Sequence, residues 1–270
     1  MMDKKIGFIG TGNMANAIIH GIINSGIAPA SQIVVFDVDT SKTQALSAEV
    51  GTVTAQSASE LTNVCDIVFL AIKPHIVPVV LKEIASTIKS NHVLVSIAAG
   101  VTLEQLAEQA GYNAKIVRVM PNTPAMVNAG MSSLTANSLV EEQELAEITA
   151  IFNSFGRSAV VPENLIHAVT GISGSSPAYV FMFIEALADA GVLGGLPRAQ
   201  AYQFAAQTVL GAAKMVLETG EHPAMLKDMV CSPGGTTIEA VKTLEEKGFR
   251  SAVIEAVVSC MDKSKKLSEK

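Results

Sequence analysis

The 270-residue sequence predicts an α/β protein in two parts: a doubly wound parallel-sheet domain over residues 1–162, then an all-α domain over residues 163–270. Three observations predict it. Short β-branched runs alternate with helical patterns through the first part, a glycine-rich turn joins the first run to the first helix, and beyond Pro162 the runs fade while helix caps multiply.

The apolar runs fall at 6–9, 33–37, 66–72, 92–98 and 116–120, with amphipathic stretches at 15–24, 76–88 and 103–110 between them. Runs apolar throughout, rather than alternating, belong to strands covered on both faces, as in a parallel sheet flanked by helices. The stretch at 130–135, followed by 141–155 and 158–161, adds edge strands and another helix. In the second part, Ser176 reads as an N-cap with Pro177 at the first helical position, and Gly194-Gly195 closes that helix. Pro197 opens a helix running to about 218, and helices at 223–230, 236–246 and 251–267 follow. Val180, Phe181, Met182, Phe183 and Ile184 are consecutive and cannot share one helix face. One small bundle cannot bury them, so packing against a second subunit is expected. The lysine-rich end at 263–270 reads as a solvated helix terminus.

Composition narrows the function. Hydrophobic residues make up 49% and charged residues 16%, with no Trp, so a large buried fraction or burial between subunits is expected. A net charge of -6 offers no basic field for a nucleic-acid backbone. Cys65, Cys231 and Cys260 lie far apart without zinc-binding spacing and read as reduced thiols of a cytoplasmic protein, with no metal site. The most membrane-like stretch, 178–196, carries Glu185 and Asp189 and ends in Gly194-Gly195-Leu196-Pro197, which favours a soluble helix buried on most sides over a membrane span.

The chemistry is carried by two segments. In the first, Ile6-Gly-Phe-Ile-Gly10-Thr-Gly12-Asn-Met-Ala15 sets a GxGxxA turn between strand and helix. Gly10 permits the tight turn, Gly12 lets a diphosphate approach the backbone, and Ala15 permits close helix packing, which together mark a dinucleotide-binding (Rossmann) domain. Asp37, ending the second run, is placed to accept hydrogen bonds from an adenosine ribose, and its charge repels a 2′-phosphate; Lys42 is the nearest cation. That leans toward NAD. The loops after the third and fourth runs should line the cofactor crevice, Ala71-Ile72-Lys73-Pro74 and Ala98-Ala99-Gly100, and the fifth run ends in Met120-Pro-Asn122-Thr-Pro124, where two prolines fix a loop. Lys73 either touches a phosphate or ribose or is an exposed loop lysine. The Asn122 amide either orients a nicotinamide carboxamide or a substrate, or stabilises its own turn.

The second segment is Asp228-Met-Val-Cys-Ser-Pro-Gly-Gly-Thr-Thr-Ile-Glu239. Pro233, Gly234 and Gly235 stop one helix, and Thr236 with Glu239 spells a capping box that starts the next. Such a terminus offers free backbone N–H groups and a positive dipole end, which suit a small carboxylate; an ordinary helix-turn-helix corner has the same pattern.

These segments, with GFIGTGNMA at 7–15, AIKP at 71–74, SIAAGV at 96–101, MPNTPA at 120–125, GISGSSPAYVF at 171–181 and KDMVCSPGGTTIEAV at 227–241, closely resemble the pyrroline-5-carboxylate reductases over essentially the whole chain. The resemblance implies reduction of the cyclic imine of 1-pyrroline-5-carboxylate to L-proline with NADPH or NADH, the last step of proline biosynthesis. It implies a helical domain that interleaves with a partner into a homodimer, and possible rings of dimers. It places the cofactor on Ile9, Gly10, Thr11, Gly12, Asn13 and Met14, on Asp37, on Ala71, Ile72, Lys73 and Pro74, and on Ala98 or Ala99. It places the substrate carboxylate on Ser232, Gly234, Gly235, Thr236 and Thr237, with Thr237 the candidate proton donor to the ring nitrogen. Ser173, Ser175 and Ser176 become a wall of the substrate pocket. Many relatives carry a small hydroxyl residue where this chain has Asp37, which puts the NADPH preference in question. The rival is another two-domain reductase, a 3-hydroxyacid dehydrogenase or imine reductase. A hydroxyacid enzyme needs a lysine or histidine acid, for which His167 and Lys214 are the candidates.

Overall fold

A computed structural model describes residues 2–268. Eight strands form one sheet in the order β3-β2-β1-β4-β5-β6-β7-β8. They are β1 (Ile6–Ile9), β2 (Ile33–Phe36), β3 (Val53–Thr54), β4 (Ile67–Leu70), β5 (Val93–Ser96), β6 (Lys115–Met120), β7 (Gly130–Ala136) and β8 (Gly156–Val160). All neighbours run parallel except β6 and β7, which pair antiparallel with Val119 opposite Leu134. The five apolar runs of the sequence are β1, β2, β4, β5 and β6, and the expected edge strands are β7 and β8. The short β3 carries no apolar pattern: both its residues are exposed.

Six helices cover the sheet: α1 (Asn13–Asn24), α2 (Thr40–Val50), α3 (Ala58–Val64), α4 (Val77–Ile84), α5 (Leu103–Ala110) and α6 (Glu142–Asn153). Side chains cap several of them at the start. Asp39 caps α2 through Ser41 N, Ser57 caps α3 through Glu60 N, and Thr102 with Gln105 forms a full capping box on α5. On one face of the sheet Phe8 stacks on Phe69 at 4.4 Å, and Phe152 and Phe155 from the α6 side extend the aromatic row. On the other face Leu61, Val77, Leu81 and Leu106 close over Val68, Leu94 and Ile116. Burying a large apolar side chain contributes about 1.5–3 kcal/mol, so these two layers supply most of the domain's stability.

Close approach is built in at particular glycines. A Cβ at Gly7 of β1 would collide with the Leu61 side chain and lie 2.9 Å from Cys65 Sγ, so only glycine lets α3 sit this close. At Gly21 of α1 a Cβ would meet Phe155 at 2.7 Å.

Contacts divide the chain into two compact units: residues up to Gly174 together with those from Cys260 on, and Ser175–Ser259. The division falls beyond the boundary expected after 162, because residues 163–174 are bound into the first unit. Glu163 bonds Arg118 and Leu103, Asn122 bonds Ser173, and His167 Nδ1 pairs with Ser264 Oγ at 2.9 Å. This stretch holds α7 (Ile166–Val169) and a π-helical turn at Thr170–Gly174. The π turn has no counterpart in the sequence reading, since periodicity near 3.6 residues does not distinguish it.

The second unit is helical as expected: α8 (Ser176–Leu193), α9 (Arg198–Thr219), α10 (Pro223–Val230), α11 (Thr236–Glu246) and the start of α12 (Phe249–Ser268). Ser175, not Ser176, is the N-cap of α8. Among the described residues, its buried hydrophobics are Ala188, Ala201 and Ala205, where α8 and α9 pack together. Phe181 at 63%, Met182 at 69% and Phe204 at 64% remain exposed in the single chain, so α8 is not covered on most sides by its own subunit. The stretch Glu163–Leu193 has the length and apolarity to cross a membrane, by composition alone. Of the lysine-rich end, Glu269 and Lys270 lie outside the described residues.

Candidate active site

The site of the first unit lies beyond the carboxyl ends of β1, β2, β4, β5 and β6, where the order of the sheet reverses across β1 and β4. A cavity of about 700 Å³ opens there. Its floor is the glycine turn: Ile9, Gly10, Gly12, Asn13 and Met14 line it, with Ala15 behind. Asp37, Val38 and Lys42 line the β2 side; Ala71, Ile72, Lys73 and Pro74 follow from β4, and Ala98 and Ala99 from β5. Phe36, Ile76, Val80, Ile97, Met120 and Pro121 complete the wall. Phe36, Ile76, Val80 and Ile97 were not singled out in the sequence as site residues, whereas Met120 and Pro121 open the loop read there as carrying Asn122.

The turn fits a dinucleotide diphosphate. Gly10 sits at φ 97°, and a Cβ there would come within 2.5 Å of the Ala71 carbonyl oxygen, so this position excludes a side chain. At Gly12 a Cβ would meet nothing within 4 Å: the space above the backbone is open. Gly12 is also the N-cap of α1 and supplies no capping side chain, which leaves first-turn amides and the positive helix end directed at the cavity.

Two expected cofactor residues are placed differently. Thr11 is buried and does not line the cavity; its N–H donates to Asp37 Oδ2 at 2.8 Å and its hydroxyl donates to the same oxygen at 3.0 Å. Asp39 N–H donates to Asp37 Oδ1 at 3.0 Å. Burial acts to raise the Asp37 pKa, but the hydrogen bonds from Asp39 and Thr11 and the charge of Lys42 outweigh it and hold the carboxyl below its usual range. Asn122 does not reach the cavity either. Its Nδ2 donates to the Ser173 carbonyl at 3.2 Å and lies 3.3 Å from Ser173 Oγ, and its Oδ1 accepts from Met131 N–H at 2.9 Å. The amide ties the loop after β6 to the π turn and to β7.

In the second unit, Ser232, Pro233, Gly234 and Gly235 form a tight turn closed by Gly235 N–H to the Ser232 carbonyl at 3.1 Å, with Gly234 at φ 65°. A Cβ on Gly235 would collide with Ser232 Oγ, so the hydroxyl lies directly over that backbone. Gly235, not Thr236, is the N-cap of α11, and no side chain caps it. The capping box expected from Thr236 and Glu239 is therefore absent: with Gly235 already extended, Thr236 and Thr237 fall in the first helical turn. Thr236 is exposed and Thr237 half-buried. Nearby, His222 Nδ1 accepts from Ala224 N–H and caps α10. Of the rival's acids, Lys214 pairs with Glu218 on the exposed face of α9 and His167 is held by Ser264.

A doubly wound sheet with an open glycine cradle at its switch point, followed by a helical unit, defines a two-domain NAD(P)-dependent oxidoreductase. The family described as "NADP oxidoreductase coenzyme F420-dependent" matches residues 5–100, and "Pyrroline-5-carboxylate reductase dimerisation" matches residues 163–267. Pyrroline-5-carboxylate reductase of Escherichia coli (strain K12) is 60% identical over 99% of this chain and 100% of its own length. A pyrroline-5-carboxylate reductase structure from Coxiella burnetii superposes with a TM-score of 0.95 at 36% identity, covering 100% of both chains. The Plasmodium falciparum pyrroline carboxylate reductase with NADP bound gives 0.88 at 35% identity, over 99% of both. The chain belongs to the pyrroline-5-carboxylate reductase family.

Proposed function

We propose that the chain reduces 1-pyrroline-5-carboxylate to L-proline with NADPH or NADH, and that its residues divide the work as follows. Reducing a C=N bond requires a hydride on carbon and a proton on nitrogen; the bound dinucleotide supplies the hydride. Gly10, Gly12 and the first-turn amides of α1 hold its diphosphate, and Asp37 faces the adenosine ribose. Ala98 and Ala99 are small, which leaves room for the nicotinamide arm. The turn at 232–235 and the N-terminus of α11 take the substrate carboxylate through Ser232, Gly234, Gly235 and Thr236. The Thr237 hydroxyl donates a hydrogen bond to the ring nitrogen or relays a proton from water. A protonated imine is already electrophilic, so a threonine of ordinary acidity suffices.

The observation that carries this reading is the open N-terminus of α11, preceded by a glycine turn and left without a side-chain cap. Its full-length relatives supply the substrate. Turnover followed spectrophotometrically with pyrroline-5-carboxylate and with a panel of 3-hydroxyacids tests it; turnover with a hydroxyacid alone would overturn it in favour of the rival reductase.

Its apolar helices support a homodimer through the helical domain, since residues 163–267 match a dimerisation family and large side chains of α8 and α9 lie uncovered. We extend this to a cytoplasmic enzyme, with rings of dimers as the larger assembly and with no nucleic-acid or membrane partner. The uncovered faces are then buried between subunits rather than in lipid.

A further inference from the structure

Glu163, the first residue after the expected domain boundary, holds three elements together at the cofactor end of the sheet. Its Oε1 accepts from Arg118 Nη1 at 2.7 Å and from Leu103 N–H at 2.8 Å. Arg118 belongs to β6, and its side chain is only 7% exposed. It lies on the same face as Ile116, two residues earlier, and so points among the residues that pack against α5. Leu103 is the first residue of α5, so the Glu163 carboxylate satisfies an amide at that helix N-terminus and complements the dipole.

The two bonded partners flank the wall of the cavity. Immediately before Leu103 runs the loop 97–102, which contributes Ile97, Ala98 and Ala99 to the wall; two residues after Arg118, β6 contributes Met120 and then Pro121. Strand order fixes which half of the cofactor they face. β2, with Asp37, lies on one side of β1, and β4, β5 and β6 lie on the other. With the diphosphate on the turn after β1, the loops after β5 and β6 line the nicotinamide half. None of them reaches the adenosine half.

We propose that Glu163 is a positioning residue for the nicotinamide half of the site, acting through Leu103 and Arg118 on the loops 97–102 and 120–121. This rests on dinucleotide binding, though not on the identity of the substrate. Calorimetric titration with NADH and with ADP-ribose, which lacks the nicotinamide, tests it without turnover. In Glu163→Gln, whose amide keeps an acceptor oxygen but loses the charge, the NADH Kd rises roughly tenfold, the scale of a charge-assisted hydrogen bond reduced to a neutral one, while the ADP-ribose Kd stays at the parent value. A general structural role would weaken both ligands together; that result, or unchanged NADH binding, would overturn the proposal. Because Glu163→Gln leaves the buried Arg118 charge without a counter-charge, Arg118→Met combined with Glu163→Gln provides a charge-free second variant with the same expected split. A parent protein that binds neither ligand would instead overturn the dinucleotide reading on which the proposal stands.

Discussion

Thr11 holds Asp37 by two hydrogen bonds to a single carboxylate oxygen, one from its N–H at 2.8 Å and one from its hydroxyl at 3.0 Å. The glycine turn and the end of β2 are thereby locked together before any cofactor arrives. With Asp39 N–H on the other oxygen, three of the carboxylate's roughly four acceptor sites are already engaged. Asp37 retains its charge and one free acceptor direction, on Oδ1. It can therefore still repel a 2′-phosphate, while offering a ribose one hydrogen bond rather than a bidentate pair.

Thr11→Val should consequently raise the KM for NADH and NADPH by the same factor, because it loosens the turn and leaves the charge in place. Asp37→Ser should change the ratio between the two cofactors, improving NADPH relative to NADH. Steady-state rates with both cofactors check this, and a strong NADPH preference in the parent would contradict the electrostatic reading of Asp37.

Gly10 and Gly12 should separate stability from binding. Gly10→Ala places a Cβ against the Ala71 carbonyl at positive φ and should destabilise the domain by about 1–3 kcal/mol. At Gly12, φ is -72° and the space is open, so Gly12→Val should fold with little loss while its side chain fills the diphosphate cradle. Thermal melting alongside NADH titration distinguishes the two. Equal loss of stability in both variants would contradict the assignment of Gly12 to the ligand.

Thr237→Ala should lower kcat by roughly two orders of magnitude, the scale for one hydrogen-bond donor to the reacting centre, and leave residual activity. Thr236→Ala should affect KM more than kcat, since Thr236 sits with the carboxylate cradle. Full activity of the Thr237 variant would remove that residue from the chemistry.

Cys65 lies under α3 against β1, and burial, with a smaller contribution from Asp66, pushes its thiol from the ordinary 9.0 up to about 12. Well below pH 9.0 the thiol is neutral in both folded and unfolded chains and has no effect on the balance between them. As pH climbs from there toward about 12, the unfolded chain ionises Cys65 and the folded one does not, so stability falls across that window. Cys65→Ala should flatten this alkaline loss of Tm. In the native protein iodoacetamide should label the partly exposed Cys231 and spare Cys65 until unfolding.

Much of the fold was legible because strands buried on both faces must be apolar throughout, and the five such runs became five adjacent strands. Helices were legible where the apolar period is marked, as at 103–110, whose start Thr102 and Gln105 cap. At Thr236 the same letters misled: a glycine already in extended conformation took the cap position, and glycine leaves no side-chain signal. Hydrogen bonds of Glu163, His167 and Ser173 tie the connecting stretch 163–174 to distant residues of the first unit, and such bonds do not appear in local pattern.

By itself, the sequence determined the doubly wound sheet, the glycine cradle and the family, because these rest on local periodicity and on residue types at fixed spacing. Only the tertiary structure decided what particular polar side chains do. Thr11 was turned inward to Asp37, Asn122 was tied to Ser173 and Met131, and Glu163 was brought to Arg118 across 45 positions of chain. Each of these depends on two segments meeting in space, and a buried hydrogen-bonding group takes whatever partner the packing brings within reach.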